Sequence, residues 1–128
     1  MTHHTVLVVD DQESIRDLWT RVLISEGYGV LSAADAFDAL RMLGESRPTV
    51  AVCDVHLPGP SGVWLAEMIR KRSPYTAIVL ASGDPFVPPH ETVKRAVVAY
   101  IIKPFTRGEL LAAVEEGVTW SREQIASR

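Results

Sequence analysis

Asp10, Asp11, Asp54, Ser82 and Lys103 each stand where a short apolar run gives way to a polar residue. Val6-Leu7-Val8-Val9 ends on Asp10-Asp11, Val50-Ala51-Val52-Cys53 on Asp54, Ile78-Val79-Leu80-Ala81 on Ser82, and Tyr100-Ile101-Ile102 on Lys103-Pro104. If these runs are strands of one parallel sheet, their polar ends emerge together at its carboxyl edge. Three carboxylates, a hydroxyl and an ammonium then converge on one crevice. Two like charges about 4 Å apart repel by roughly 4 kcal/mol at an effective dielectric of about 20. Such a cluster therefore calls for a cation. Carboxylate and loop-carbonyl oxygens suit Mg²⁺, which retains waters and also binds phosphate. No His/Cys spacing favours zinc. A central Asp between a metal and a lysine suits formation of an aspartyl phosphate. No histidine stands at a comparable strand end to activate Ser82, which argues against a Ser-His-Asp hydrolase. Taken singly, Asp10-Asp11 also reads as a helix cap, Ser82 as a turn residue before Gly83, and Lys103 as a solvated strand-end lysine. The coincidence of all of them at strand ends favours a site.

Alternating periods supply the elements that would position these residues. Ile15, Leu18, Trp19, Val22 and Leu23 recur at one-face helical spacing, and Gly27 follows as a helix stop. Gly29 to Ala33 reads as a second strand. Asp35 is a plausible N-cap for a helix carrying Phe37, Leu40 and Leu43, which ends before Pro48. Val50 to Cys53 is the next strand, and residues 56–62, rich in Pro and Gly, form a loop. Leu65, Ala66 and Ile69 mark a third helix, closed by the basic run Arg70-Lys71-Arg72 at its negative end. Ala77 to Ala81 and Tyr100 to Lys103 are further strands. Thr106 and Glu109 make a capping box for a last helix with Leu110, Leu111, Val114 and Val118 on one side. Between Asp84 and Val98, Pro85, Pro88 and Pro89 predict an irregular start, Asp84 to Pro89, and a short or late helix. Trp19 reads as core. Trp64 and Met68 lie off the core stripe of their helix, and Trp120 lies near the end of the last one.

Five β-α units predict an α/β fold: a five-stranded parallel sheet with helices on both faces, and 2-1-3-4-5 is a common strand order. In that order the winding reverses between the first and third strands, where Asp10, Asp11 and Asp54 would lie. The length of 128 residues suits a single domain, with a core over about 5–118 and a helical extension over 119–128 that leads toward an output domain. Hydrophobic content of 47% and charged content of 23% are ordinary for a globular protein. The net charge of −3 and pI near 5.8 argue against direct nucleic-acid binding. The single cysteine, Cys53, rules out an internal disulfide and reads as a small core residue. With no apolar stretch of membrane-spanning length and no signal-peptide layout, the expected location is cytoplasmic.

In order and spacing these residues resemble the receiver domain of two-component response regulators, over essentially Thr5 to Val118. The resemblance implies a CheY-like, flavodoxin-like fold and a phosphorelay switch. It makes Asp54 the phosphoacceptor. Asp10 and Asp11 become the acidic pair that holds Mg²⁺, joined by Asp54 and the backbone carbonyl of His56. Ser82 takes the place of the hydroxyl that follows the phosphoryl group, and Lys103 that of the family's lysine. Lys103-Pro104 matches a bond usually cis in the family, and Tyr100 matches its aromatic switch. His56 and Asp84 match the two variable positions that tune hydrolysis of the acyl phosphate. The implied donor is a sensor histidine kinase or a histidine phosphotransfer protein. The implied output passes through the face made by the helix before Val98, the strand ending at Lys103 and the last helix, toward an output domain or a second copy. Such a domain is not an enzyme in the ordinary sense, since it catalyses only its own phosphorylation and dephosphorylation. Two rivals remain: a Mg²⁺-dependent phosphatase with an Asp nucleophile, and a phosphorylation-silent binding module. Phosphatases of that kind usually place nucleophile and acid two residues apart, whereas Asp10 and Asp11 are adjacent. The complete set of five residues argues against silence.

Overall fold

A computed structural model describes residues 3–84 and 96–128. In chain order the elements are β1 (Thr5–Val9), α1 (Glu13–Ser25), β2 (Gly29–Ala33), α2 (Ala36–Glu45), β3 (Val50–Asp54), α3 (Gly62–Arg72), β4 (Ala77–Ser82), β5 (Val97–Ile102) and α4 (Arg107–Ala126). The strands form one parallel sheet in the order β2-β1-β3-β4-β5. The expected helix between Asp84 and Val98, and the irregular stretch before it, lie outside the described residues. Among the described residues no helix is long and apolar enough to cross a membrane.

The period-two alternation of the strands divides the core into two layers. Leu7, Val9, Ala51, Cys53, Ile78 and Leu80 pack against α2 and α3, while Val6, Val8, Val50, Val52, Val79 and Ala81 pack against α1 and α4. Because both faces are covered, the central strands β1, β3 and β4 read as continuous apolar runs rather than alternating ones. Cys53 is fully buried, and burial pushes its thiol up to about 12. Asp35 caps α2 by accepting from the Asp38 N–H at 2.8 Å, and the Thr106/Glu109 capping box opens α4. Gly27, with φ of +91°, ends the turn after α1, a conformation that favours glycine.

Several boundaries differ from the sequence expectation. β5 begins at Val97, three residues before Tyr100, and carries an irregularity. Ile78 pairs with Val97 but Val79 pairs with Ala99, which leaves Val98 extra. α4 runs unbroken from Arg107 past Val118 to Ala126. Its far part is anchored, with Ser121 buried and donating to the Tyr75 carbonyl, and Trp120 packed against both core layers. Leu18 and Phe37 were expected to face the core, yet they are 57% and 63% exposed. The buried stripe of α2 is Ala36, Ala39 and Leu43, because small side chains let the helix approach the sheet closely.

The turn from β3 into α3 is tighter than its sequence suggests. A Cβ added at Gly62 would lie 2.1 Å from the Asp54 carbonyl oxygen and 2.9 Å from Val55 Cα. Those atoms are backbone and cannot step aside. Gly62→Ala is therefore expected to destabilise the domain by about 1–3 kcal/mol through overpacking and to displace the Asp54 main chain. Denaturant melts, with amide NMR shifts at residues 53–56, check both effects.

Candidate functional site

The carboxyl edge of the sheet gathers side chains from four strands. Asp10 follows β1 directly and its N–H donates to the Ala33 carbonyl at 3.2 Å. The Asp10 carboxylate is completely buried. Its Oδ1 accepts from the Gln12 N–H at 2.8 Å, which turns the chain into α1 and points Asp11 outward. Arg16 donates from Nη1 to the Asp10 carbonyl at 2.7 Å and pins that turn. Asp54 closes β3, 6% exposed, and its Oδ1 accepts a long bond of 3.3 Å from the His56 N–H. One oxygen from each of Asp10, Asp11 and Asp54 lies within 4.8 Å of the others.

Lys103 closes the cluster from the far edge. Its N–H donates to the Ser82 carbonyl at 2.8 Å, and the Lys103–Pro104 bond is cis. Lys103 Nζ stands 2.7 Å from Asp10 Oδ2 and 3.2 Å from Asp54 Oδ2. Burial acts to lower the lysine's pKa, but the bond to Asp10 and the charges of Asp54 and Asp10 outweigh it and hold the pKa above its ordinary value. Asp54 fares differently. Burial raises its pKa and the neighbouring Asp10 charge adds to this, while Lys103 offsets only part. One ammonium thus serves two carboxylates, favouring Asp10 and leaving the Asp54 anion undercompensated.

Ser82 ends β4 fully buried, and its Oγ accepts from the Asp84 N–H at 3.0 Å. Tyr100 lies on β5 opposite Leu80, its ring packed on the α2/α3 side of the sheet. Its hydroxyl is buried and makes no hydrogen bond among the described residues. Burial pushes the Tyr100 pKa up, and the nearby Ser82 hydroxyl draws it partly back. The His56 side chain is exposed beside Asp54. The two residues the sequence reading passed over are Arg16 and Gly62. Neither stands at a strand end, and the only signal for Arg16 is its place one turn into α1 from the acidic pair.

The donor set is all oxygen and fits a hard cation. Mg²⁺ binds oxygen at about 2.0–2.1 Å, so opposed ligands are about 4 Å apart; a spread of 4.8 Å needs only a small contraction. The donors to the two Asp10 oxygens stand at 2.8 and 2.7 Å and those to the two Asp54 oxygens at 3.3 and 3.2 Å, so Asp54 is the less tightly held of the pair.

Residues 6–115 match the response regulator receiver domain, and the chain belongs to that family. A CheY-like receiver domain protein from Methanospirillum hungatei is 27% identical, with 96% of this chain and 99% of that one covered, at a TM-score of 0.88. The response regulator TrrA of Thermotoga maritima, in complex with Mg²⁺-BeF, is 29% identical over 89% of this chain and 98% of its own, at 0.81. NtrX of Brucella abortus is 29% identical over 98% of this chain at 0.88, but only 29% of the NtrX chain is covered. Receivers are signalling modules of two-component phosphorelays, not classical enzymes. They take Mg²⁺ at an acidic pocket and work with histidine kinases or phosphotransfer proteins.

The charge balance has a measurable consequence. Because the native Asp54 pKa stands above its unfolded value of 3.8, the native state holds more protons than the unfolded state just above that pH. Stability then falls as pH rises through this window. Asp54→Asn removes the ionised form and its cost. In EDTA the variant is expected to melt above wild type at pH 7, with the difference shrinking as pH falls toward 4. Thermal melts over that range check the sign.

Proposed function

We propose that this domain is a phosphorylation-dependent switch in which Asp54 accepts a phosphoryl group from the phosphohistidine of a sensor histidine kinase or histidine phosphotransfer protein. The observation that carries the reading is the undercompensated Asp54 carboxylate, set between Asp10 and Asp11 on one side and Lys103 Nζ on the other. An Asp54 oxygen attacks phosphorus, an O–P bond forms and the P–N bond breaks, and the imidazole leaves with a proton. Lys103 and the Ser82 hydroxyl donate to phosphoryl oxygens. Asp10, Asp11, Asp54 and the His56 carbonyl would hold Mg²⁺, which supplies neutralising charge; the Mg²⁺-BeF complex of TrrA supports that choice of ion. The chain's own catalysis is limited to forming and hydrolysing this acyl phosphate, with His56 and Asp84 flanking the site and tuning its lifetime.

The readout follows from Ser82 and Tyr100. A hydrogen bond from Ser82 to a charged phosphoryl oxygen is stronger than one to a neutral acceptor, and it draws Ser82 from its present turn. The Tyr100 hydroxyl, buried beside Ser82 and without a geometrically good hydrogen bond among the described residues, gains a reason to reorient. Change then passes to β5 and α4, the face we assign to an output domain or second copy. The unit is one receiver domain with a core over 5–118. A similar receiver from Pseudomonas fluorescens belongs to an HD domain-containing protein, and NtrX is a longer chain, which supports attachment to an output.

Incubation with acetyl phosphate and Mg²⁺ is expected to add one phosphoryl group by intact mass, lost in Asp54→Asn and Asp54→Ala. Undiminished labelling of both variants overturns the assignment, and steady turnover of a phosphomonoester would favour a phosphatase. The acidic cluster gives a separate check. Millimolar Mg²⁺ should stabilise wild type by about 1–3 kcal/mol, and in EDTA Asp11→Asn should melt slightly above wild type because it relieves repulsion. A lower apo melt for Asp11→Asn together with no Mg²⁺ effect on wild type would remove the metal site.

A further inference from the structure

The ammonium of Lys103 has carboxylates on one side and an aromatic face on the other. Its Nζ lies 5.4 Å from the centroid of the Trp19 ring while it bonds Asp10 and Asp54. Trp19 is only 5% exposed on the buried side of α1. It also packs against Phe105, ring centroids 5.2 Å apart at an interplanar angle of 37°. Trp19 thus touches the Lys103 loop twice, at the ammonium and two residues later. A lysine stem is flexible and its ammonium is strongly hydrated; with the side chain 25% exposed, water is within reach. An indole face attracts a cation through its quadrupole within about 6 Å. An aliphatic side chain on the same face of α1 would fill the core without that attraction.

We propose that Trp19 is a positioning residue for Lys103: it confines the ammonium beside Asp10 and Asp54 and so sets how strongly the acidic cluster attracts a divalent cation. The second half rests on Asp10, Asp11 and Asp54 being Mg²⁺ ligands, and the first half does not. Removing the ring lets the ammonium drift into water, the cluster becomes more negative, and Mg²⁺ binds more tightly.

Two measurements separate the halves. In protein labelled with 5-fluorotryptophan and held in EDTA, Lys103→Met should move the ¹⁹F resonance of Trp19, assigned by its loss in Trp19→Phe, and leave those of Trp64 and Trp120 in place. An unmoved Trp19 resonance overturns the positioning role whatever Mg²⁺ does. By calorimetric titration, Trp19→Leu should bind Mg²⁺ roughly two- to five-fold more tightly, while Trp19→Phe, which keeps an aromatic face, stays near wild type. In a Lys103→Met background Trp19→Leu should change nothing further. An equal change in both backgrounds means the ring acts by packing alone and overturns the proposal. Absence of Mg²⁺ binding by wild type overturns the metal-site reading and the affinity half with it, and the ¹⁹F result then decides the positioning half alone.

Discussion

A completely buried carboxylate, Asp10, is kept in this fold by an ammonium that arrives 93 positions later in the chain. Much of the architecture can be understood from that constraint. β5 stands three places from β1 in the sheet, about 14 Å at the usual strand spacing. The lysine therefore cannot lie along its own strand; it has to turn back across the ends of β4 and β3. The Lys103 N–H bond to Ser82 starts that turn, and the packing of Phe105 on Trp19 completes it. The same reach carries Nζ past Asp54, which shares the ammonium without being satisfied by it. A buried ion pair of this kind is weak evidence for stability, since desolvation consumes most of its attraction. Here it divides labour: Asp10 is settled, and Asp54 retains an anion with unspent capacity for a cation or an electrophile.

The parts of this site that were legible in the sequence are those set by period and punctuation. Apolar runs ending on Asp, Ser or Lys marked the strand ends, the Thr106/Glu109 spacing marked a helix start, and the alternation of strand and helix implied the layered sheet. What stayed hidden depends on distances that no local pattern encodes. The pairing of Lys103 with Asp10 more than with Asp54 arises from the path of a loop. The need for glycine at position 62 arises from a backbone 2.1 Å from its would-be Cβ. Trp19 looked like any core residue because its helical phase was that of a core residue; its second role depends on what sits across from it. How α4 is held beyond Val118 was not legible, because the apolar stripe fades there. Ser121 and Trp120 then continue the docking through a polar bond and a ring rather than through aliphatic side chains.

The extra residue in β5 acts as a reading frame for the sheet edge. Side chains on a strand alternate sides with a strict period of two. Val98 interrupts the count, so Val98 and Ala99 both pack with the layer of α1 and α4, and Tyr100 falls on the opposite side. Were the same residues paired without the bulge, counting on from Val97, Ala99 would stand opposite Leu80, and Tyr100 would stand opposite Ala81 on the side of Leu110 and Val114. Residues within β5 can be exchanged one for another at local cost, but a residue added or removed between Ala99 and Ile102 would be a frameshift in three dimensions, transposing the two faces for every position beyond it. The bulge is different: loss of Val98 would leave Ala99 and Tyr100 on their present partners and faces. The strand can therefore change length at its bulge, where a change elsewhere would have to move Tyr100 or Lys103.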